Sequence, residues 1–113
     1  MNGYQLTFFT VEGRRHGQVP MGRWLTDTAR ALGIQGATLT TGVEGIGRNG
    51  RLHSAHFFEL TDQPVEVTMV VDAAQCERLF ATLEREQANV FYAKTPVEFG
   101  VIGAPQLNSR IPK

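Results

Sequence analysis

The chain has 113 residues with a single cysteine and no surplus of charge of either sign. Cys76 alone can form neither a disulfide within the chain nor a cysteine-based zinc site. Eleven basic residues balance eleven acidic ones, so there is no positive field of the kind that holds a nucleic-acid backbone. We therefore expect no internal disulfide and no nucleic-acid partner.

Long apolar runs are also missing. No stretch approaches the roughly 20 apolar residues that span a membrane. The first residues lack the basic-then-apolar layout of a secretory signal. These absences predict a cytoplasmic protein without direct membrane insertion. The length, with 42% hydrophobic residues, predicts one domain over residues 1–113, with an ordered core over about 5–103 and a tail over 104–113.

The first part of the chain predicts a strand followed by a helix. Residues 6–11 are rich in aromatic and β-branched side chains, and the polar residues 12–19 predict a loop. Pro20 suits the first position of a helix and Gly33 its C-terminal stop. Between them, residues that would share one face of a helix recur every three to four positions: Met21, Trp24, Leu25, Thr28, Ala29 and Leu32. We interpret Trp24 as a core anchor of this helix.

Further strands are predicted over residues 37–43 and 52–60. In the next segment four apolar residues alternate with polar ones, which is typical of a half-buried strand: Val65, Val67, Met69 and Val71. Asp72 and Gln75 have the spacing of a capping box at the start of a second helix.

The second helix has an apolar stripe that predicts its buried side: Cys76, Leu79, Phe80 and Leu83. This position makes Cys76 a small core residue and not a nucleophile. Asn89 is predicted to end the helix. Residues 90–94 predict another strand, and residues 96–102 an additional edge strand.

This order of elements predicts an α+β fold, a ferredoxin-like (βαββαβ) sheet with two helices on one face. An alternative is that residues 37–43 and 52–60 form one long ribbon with the following strand. Two helices cover only one face of a sheet, yet apolar residues alternate onto both faces, as in Phe8 beside Phe9. Self-association would bury the second face.

Residues 33–50 hold six of the twelve glycines. Glycine at a strand end lets the backbone approach a ligand closely, and successive N–H groups in a turn form a nest for an anion. Arg48 would add a guanidinium group beside such a nest. Taken alone, this pattern is more typical of a glycine-rich hairpin turn.

Several ordered motifs resemble the PII signalling superfamily. They are Gly33-Ile-Gln-Gly-Ala-Thr38, Gly45-Ile-Gly-Arg48 and the segment from Pro64 to Val71. Similarity is greatest to a PII-like group catalogued as a domain of unknown function, through Arg15-His16-Gly17, Glu44-Gly45-Ile46-Gly47 and Leu52-His53-Ser54-Ala55. The resemblance covers about residues 5–103.

The resemblance implies a PII-like homotrimer that binds a small-molecule ligand, an adenine nucleotide, in clefts between subunits. A loop after the second strand would sense the ligand and dock on a membrane transporter or an enzyme. The protein would itself be a signalling regulator, not an enzyme, and would need no cofactor. The implied ligand-binding residues are Thr38, Gly45, Ile46, Gly47 and Arg48.

The chain departs from the superfamily between the second helix and the last strand. A glycine-rich loop with a phosphate-holding lysine belongs there, whereas residues 84–89 contain neither glycine nor lysine and include two acids. Since those acids would repel a triphosphate, we expect AMP or ADP to be preferred over ATP.

A metal site is the alternative function. His53 and His56 are three residues apart in a predicted strand, so their side chains point to opposite faces and cannot hold one metal together. Combined with His16 across a subunit interface, they could form a site like that of copper- or zinc-tolerance proteins that share this fold.

Overall fold

The computed structural model describes residues 1–42, 44–46, 52–54 and 63–103, with the backbone alone over 44–46 and 52–54. The elements in chain order are β1 (Asn2–Val11), β2 (Arg15–His16), β3 (Val19–Pro20), α1 (Met21–Ala31), β4 (Thr38–Thr41), β5 (Glu44–Ile46), β6 (Leu52–Ser54), β7 (Pro64–Asp72), α2 (Ala73–Arg85) and β8 (Phe91–Glu98).

Four of these strands form one antiparallel sheet in the order β4-β7-β1-β8. The register places Thr7 of β1 opposite Thr68 of β7 and Ala93 of β8. Each helix connects two parallel strands that have a third strand between them, because β7 separates β1 from β4 and β1 separates β7 from β8. This topology confirms the predicted ferredoxin-like fold.

Both helices pack on one face of this sheet. Alternate residues of β1 and β7 supply the buried floor, with Leu6, Val67 and Val71 fully buried. Leu25 of α1 and Leu79 of α2 close the core from above and are also fully buried. The predicted alternation of buried and less buried residues over 65–71 is confirmed. The predicted apolar stripe of the second helix is also confirmed as its buried side.

The other face, called the open face here, has no helix of the described residues against it. Its middle consists of three rows of paired residues across the strands: Gln5, Val70 and Thr95; Thr38, Thr68, Thr7 and Ala93; Thr40, Glu66, Phe9 and Phe91. Phe9 and Phe91 are 36% and 51% exposed, and their ring centroids lie 5.7 Å apart. The expectation that aromatic residues alternate onto both faces holds for Phe8 and Phe9.

The strand boundaries differ from the prediction in three places. Strand β1 begins at Asn2, because its first residues pair with the end of β8. The predicted loop over residues 12–19 contains a small hairpin of β2 and β3. The two strands predicted over residues 90–102 are one strand, since Pro96 lies in an edge strand, where a missing N–H is tolerated.

The strand predicted over residues 37–43 is β4, which pairs with β7 from Thr38 to Thr41. The next two strands, β5 and β6, pair with each other in a ribbon separate from the main sheet. Only residues 52–54 of the strand predicted over 52–60 are described, and Phe57 and Phe58 lie outside the described residues, as does the predicted tail over 104–113.

Both helices end in the same hydrogen-bonding pattern, a Schellman motif. In α1 the N–H of Ile34 donates to Ala29 and that of Gly33 to Arg30, with Gly33 at φ +81°. In α2 the N–H groups of Ala88 and Gln87 donate to Leu83 and Glu84. Gln87 occupies the glycine position at φ +55°, so α2 ends before the predicted Asn89.

The start of α2 has the predicted capping box. Asp72 Oδ1 accepts a hydrogen bond from the N–H of Gln75 at 2.7 Å, and Gln75 Oε1 accepts one from the N–H of Asp72 at 3.0 Å. Pro20, predicted at the first position of α1, is its N-cap. The capping box satisfies backbone N–H groups that the start of α2 would otherwise leave unpaired, whereas the side chain of Pro20 forms no capping hydrogen bond to α1.

The two Schellman motifs generate a paired stability prediction. Gln87→Gly should raise the free energy of unfolding by about 0.5–1 kcal/mol, because glycine adopts positive φ without the steric cost of a side chain. Gly33→Ala should lower it by about 1 kcal/mol for the same reason. Urea unfolding at fixed protein concentration measures both changes. Gln87→Ala, which keeps a Cβ at this φ, is the control and should give no gain; equal gains from Ala and Gly would contradict the backbone explanation.

Candidate functional site

Thr38 is the first residue of β4 and is exposed on the open face. Its partner in β7 is Thr68, whose Oγ1 lies 3.4 Å from Oγ1 of Thr7 in β1. Three threonines of three neighbouring strands therefore form one row, called the threonine row here. The sequence motif predicts only Thr38 as a site residue, since Thr68 and Thr7 join it only through the register of the sheet.

Gly45 and Ile46 lie in the ribbon that follows β4. They belong to β5 and pair with His53 and Leu52 of β6. The two residues are thus extended, and this corrects the expectation that they form part of a turn. Because the N–H groups of successive strand residues point in opposite directions, Gly45 and Ile46 do not form an anion-binding nest together. Gly47 and Arg48 lie outside the described residues.

The ribbon leaves the main sheet where β7 begins. The N–H of Gly42 donates to the Pro64 carbonyl at 2.8 Å, and the N–H of Glu12 donates to the Gln63 carbonyl at 2.9 Å. Pro64 is paired with Val11, so the base of the ribbon lies at the end of the two central strands. No described contact within one chain joins Thr38 to Gly45 or Ile46.

His16 is engaged in packing. Its ring stacks on Trp24 of α1, with centroids 3.8 Å apart, and its Nε2 lies 3.6 Å from Glu86 Oε1. Trp24 is half-buried and packs against the core, which agrees with its interpretation as an anchor. The side chain of His53 and all of His56 lie outside the described part of the chain, within which no group of three or more potential metal ligands occurs.

A second contact joins the same hairpin to the segment after α2. Arg14 donates a hydrogen bond of 2.6 Å to the carbonyl of buried Ala88. Together with the contact of His16 and Glu86, it fixes the connection between α2 and β8. Arg14 was not predicted as a contact residue, because its partner is 74 residues away in the chain.

The connection between α2 and β8 turns without glycine. Gln87 and Asn89 take positive φ values of 55° and 50° where glycine would serve more easily. Glu84 and Glu86 are exposed there. This connection therefore presents carboxylates to solvent.

Lys94 lies on the helix-covered side of β8 among aromatic rings. Its Nζ is 4.2 Å from the Tyr4 ring centroid and 5.7 Å from that of Phe80. Burial raises the pKa of the nearby Cys76 thiol, and the charge of Lys94 opposes that rise. Cys76 is buried in the core as predicted, so it is placed for packing and not for reaction.

Neither helix in the described ranges is long and apolar enough to span a bilayer.

Several proteins of known structure share this fold. A PII-like signalling protein from Thermus thermophilus has a TM-score of 0.63 at 16% identity, over 86% of this chain and 88% of its own. CPII, a nitrogen regulatory PII-like protein from Thiomonas intermedia bound to ADP, AMP and bicarbonate, has a TM-score of 0.58 at 19% identity, over 86% and 89%. A DUF3240 family protein from Shewanella baltica has a TM-score of 0.60 at 17% identity, over 91% and 100%.

At the sequence level, a model of the DUF190 family, described as "Uncharacterized ACR", matches residues 3–98. That match spans most of the chain, and the similar structures share its topology of sheet and helices. The chain therefore belongs to the DUF190 family and has the fold of PII-like signalling proteins.

Proposed function

We propose that this chain is a cytoplasmic PII-like regulator that binds an adenine nucleotide through the threonine row of the open face. Support comes from CPII, which shares the fold and binds ADP and AMP. The observation that carries the proposal is the threonine row itself, in which Thr38 is exposed and Thr68 lies 3.4 Å from Thr7. A hydroxyl both donates and accepts hydrogen bonds, so such a row matches the mixed donors and acceptors of an adenine edge.

The ligand site is proposed to be completed between subunits of a homotrimer. The three middle rows of the open face contain one charged residue, Glu66, and expose the aromatic pair of Phe9 and Phe91. A surface with so little charge is well suited to contact another copy of itself. Gly47 and Arg48 would then complete the cleft at the ribbon, with Gly45 and Ile46 holding its base.

The nucleotide is proposed to be AMP or ADP in preference to ATP. The connection between α2 and β8 offers the exposed carboxylates of Glu84 and Glu86 and no lysine. The two carboxylates would repel the additional negative charge of a third phosphate near this connection, where Arg85 is the single basic residue of the segment 84–89.

The proposed output is regulation of a partner, not catalysis. The ribbon of β5 and β6 projects from the sheet at the start of β7 and is the element proposed to dock on a membrane transporter or an enzyme. Ligand at the base of the ribbon would change which ribbon conformation is favoured, and the partner would respond to that change.

Thr38 offers a test with a matched control on the same strand. Thr38→Val should weaken binding of AMP about five- to tenfold, since it removes a hydroxyl that bonds the ligand while keeping the side-chain shape. Thr40→Val makes the same change one row away and should leave the affinity within about twofold. Calorimetry with AMP, ADP and ATP measures both variants. Equal losses from the two variants, or none from Thr38→Val, would exclude the threonine row.

Two substitutions probe the ribbon part of the site. Gly47→Val should abolish nucleotide binding by filling the approach to the backbone, while the oligomer stays intact. Arg48→Ala should weaken binding about ten- to a hundredfold, which corresponds to about 1.5–3 kcal/mol for one charge-assisted contact. Tight ATP binding that is indifferent to Arg48 would mean that the site lies elsewhere. Absence of binding by any adenine nucleotide, with binding of copper or zinc, would favour the metal alternative.

The oligomer has its own test on the open face. Light scattering at micromolar concentration should give three times the mass of one chain. Phe91→Glu should dissociate it, because a carboxylate would be buried without a partner at the contact. Ala81→Glu introduces the same group on the exposed side of α2 and should leave the mass unchanged. A monomer mass for the unmodified chain would refute the trimer.

A further inference from the structure

Glu66 carries the only charge in the three middle rows of the open face. It is exposed in β7, opposite Thr40 of β4 and Phe9 of β1. Within the described part of the chain, its carboxylate forms no ion pair and no hydrogen bond. The proposed trimer would cover this face, so the carboxylate needs hydrogen-bond donors there, because burying an unpaired charge is costly.

The position of Glu66 along β7 is between the two parts of the proposed nucleotide site. Thr68 of the threonine row is two residues after it, and Pro64, at the base of the ribbon, is two residues before it. Residues two apart on a strand share one face and are about 6.7 Å apart, so Thr68 and Pro64 are about 13 Å from each other. Glu66 is therefore at the midpoint of the path from the threonine row to the ribbon.

A nucleotide has three parts in the same order, which are base, ribose and phosphate. With adenine on the threonine row and phosphate at the ribbon, the ribose comes to lie beside Glu66. An ionised carboxylate repels a phosphate, and it accepts hydrogen bonds without donating any. The 2′- and 3′-hydroxyls of ribose are two adjacent donors, so the sugar is the part of the ligand that suits this side chain.

Reach distinguishes Glu66 from Thr40, its partner in the same row. The glutamate carboxylate extends further from the backbone than the threonine hydroxyl does. Strand β7 is also an inner strand, whereas β4 is at the edge of the sheet. A ligand that lies along β7 therefore contacts Glu66 and not Thr40.

We propose that Glu66 binds the ribose hydroxyls of the nucleotide and makes the site selective for ribonucleotides. This inference rests on the proposed function, because it takes the position of adenine from the threonine row. The Glu66 carboxylate accepts hydrogen bonds from the 2′- and 3′-hydroxyls, and the 5′-phosphate points away from it toward the ribbon. In 2′-AMP, a phosphate replaces one of these donors and is repelled by the carboxylate.

Calorimetry on the full chain measures this contact through a cycle of two ligands and two proteins. The ligands are AMP and 2′,3′-dideoxy-AMP, which have the same base and the same 5′-phosphate. The unmodified chain should bind AMP about ten- to a hundredfold more tightly, as expected for charge-assisted hydrogen bonds. Glu66→Gln should reduce this preference at least about fivefold. A change in repulsion of the 5′-phosphate affects both ligands equally and cancels in the ratio.

A matched control and a third ligand complete the experiment. Glu98→Gln makes the same change at the far end of the sheet, where residue 98 pairs with Asn2, and should leave the preference within about twofold. The unmodified chain should bind 2′-AMP at least about tenfold more weakly than AMP, and Glu66→Gln should reduce that difference. Light scattering verifies that each variant assembles as the unmodified chain does.

The outcomes separate this inference from the proposed function. Equal affinities of AMP and dideoxy-AMP for the unmodified chain, with AMP binding still dependent on Thr38, would overturn the role of Glu66 alone. An unchanged preference in Glu66→Gln would do the same. Absence of AMP binding, or AMP binding that does not depend on Thr38, would overturn the proposed function and this inference together.

Discussion

The antiparallel register of β1 on β7 determines which residues form the core and which lie on the open face. It pairs Leu6 with Met69 and Phe8 with Val67, and these residues form the floor beneath both helices. The same register necessarily sends Thr7 and Thr68 to the opposite face, because strand side chains alternate. A slip of one residue would move the apolar set to the open face and separate the threonine row, so core and candidate site are specified together.

Local signals predicted much of this architecture. The alternation at residues 65–71 requires only a period of two, and the capping box of Asp72 and Gln75 spans four residues, so both could be identified without tertiary information. Gly33 follows the end of α1 as predicted, because a Schellman motif with glycine involves only residues that are close in sequence. The helix end at Gln87 was missed because a non-glycine residue occupies the same left-handed position, held by packing of the following Ala88.

Contacts between distant parts of the chain could not be predicted in the same way. Arg14 and Ala88 meet only after α1 and α2 have packed on the sheet, and nothing in either local sequence indicates their hydrogen bond. Pro96 predicted a break between two strands, yet it lies inside β8, because the edge position removes the cost of a missing donor. For the candidate site, Thr38 was found through its motif, whereas Thr7 and Thr68 became visible only through strand pairing.

In the proposed complex, adenine lies against the threonine row of the open face. Intermolecular nuclear Overhauser effects between AMP and methyl-labelled protein measure this directly, since they are observed only between protons a few ångströms apart. We expect contacts from the adenine H2 and H8 protons to the methyl groups of Thr38 and Thr68. Adenine contacts confined to residues on the helix-covered side of the sheet, with none to these two methyl groups, would contradict it.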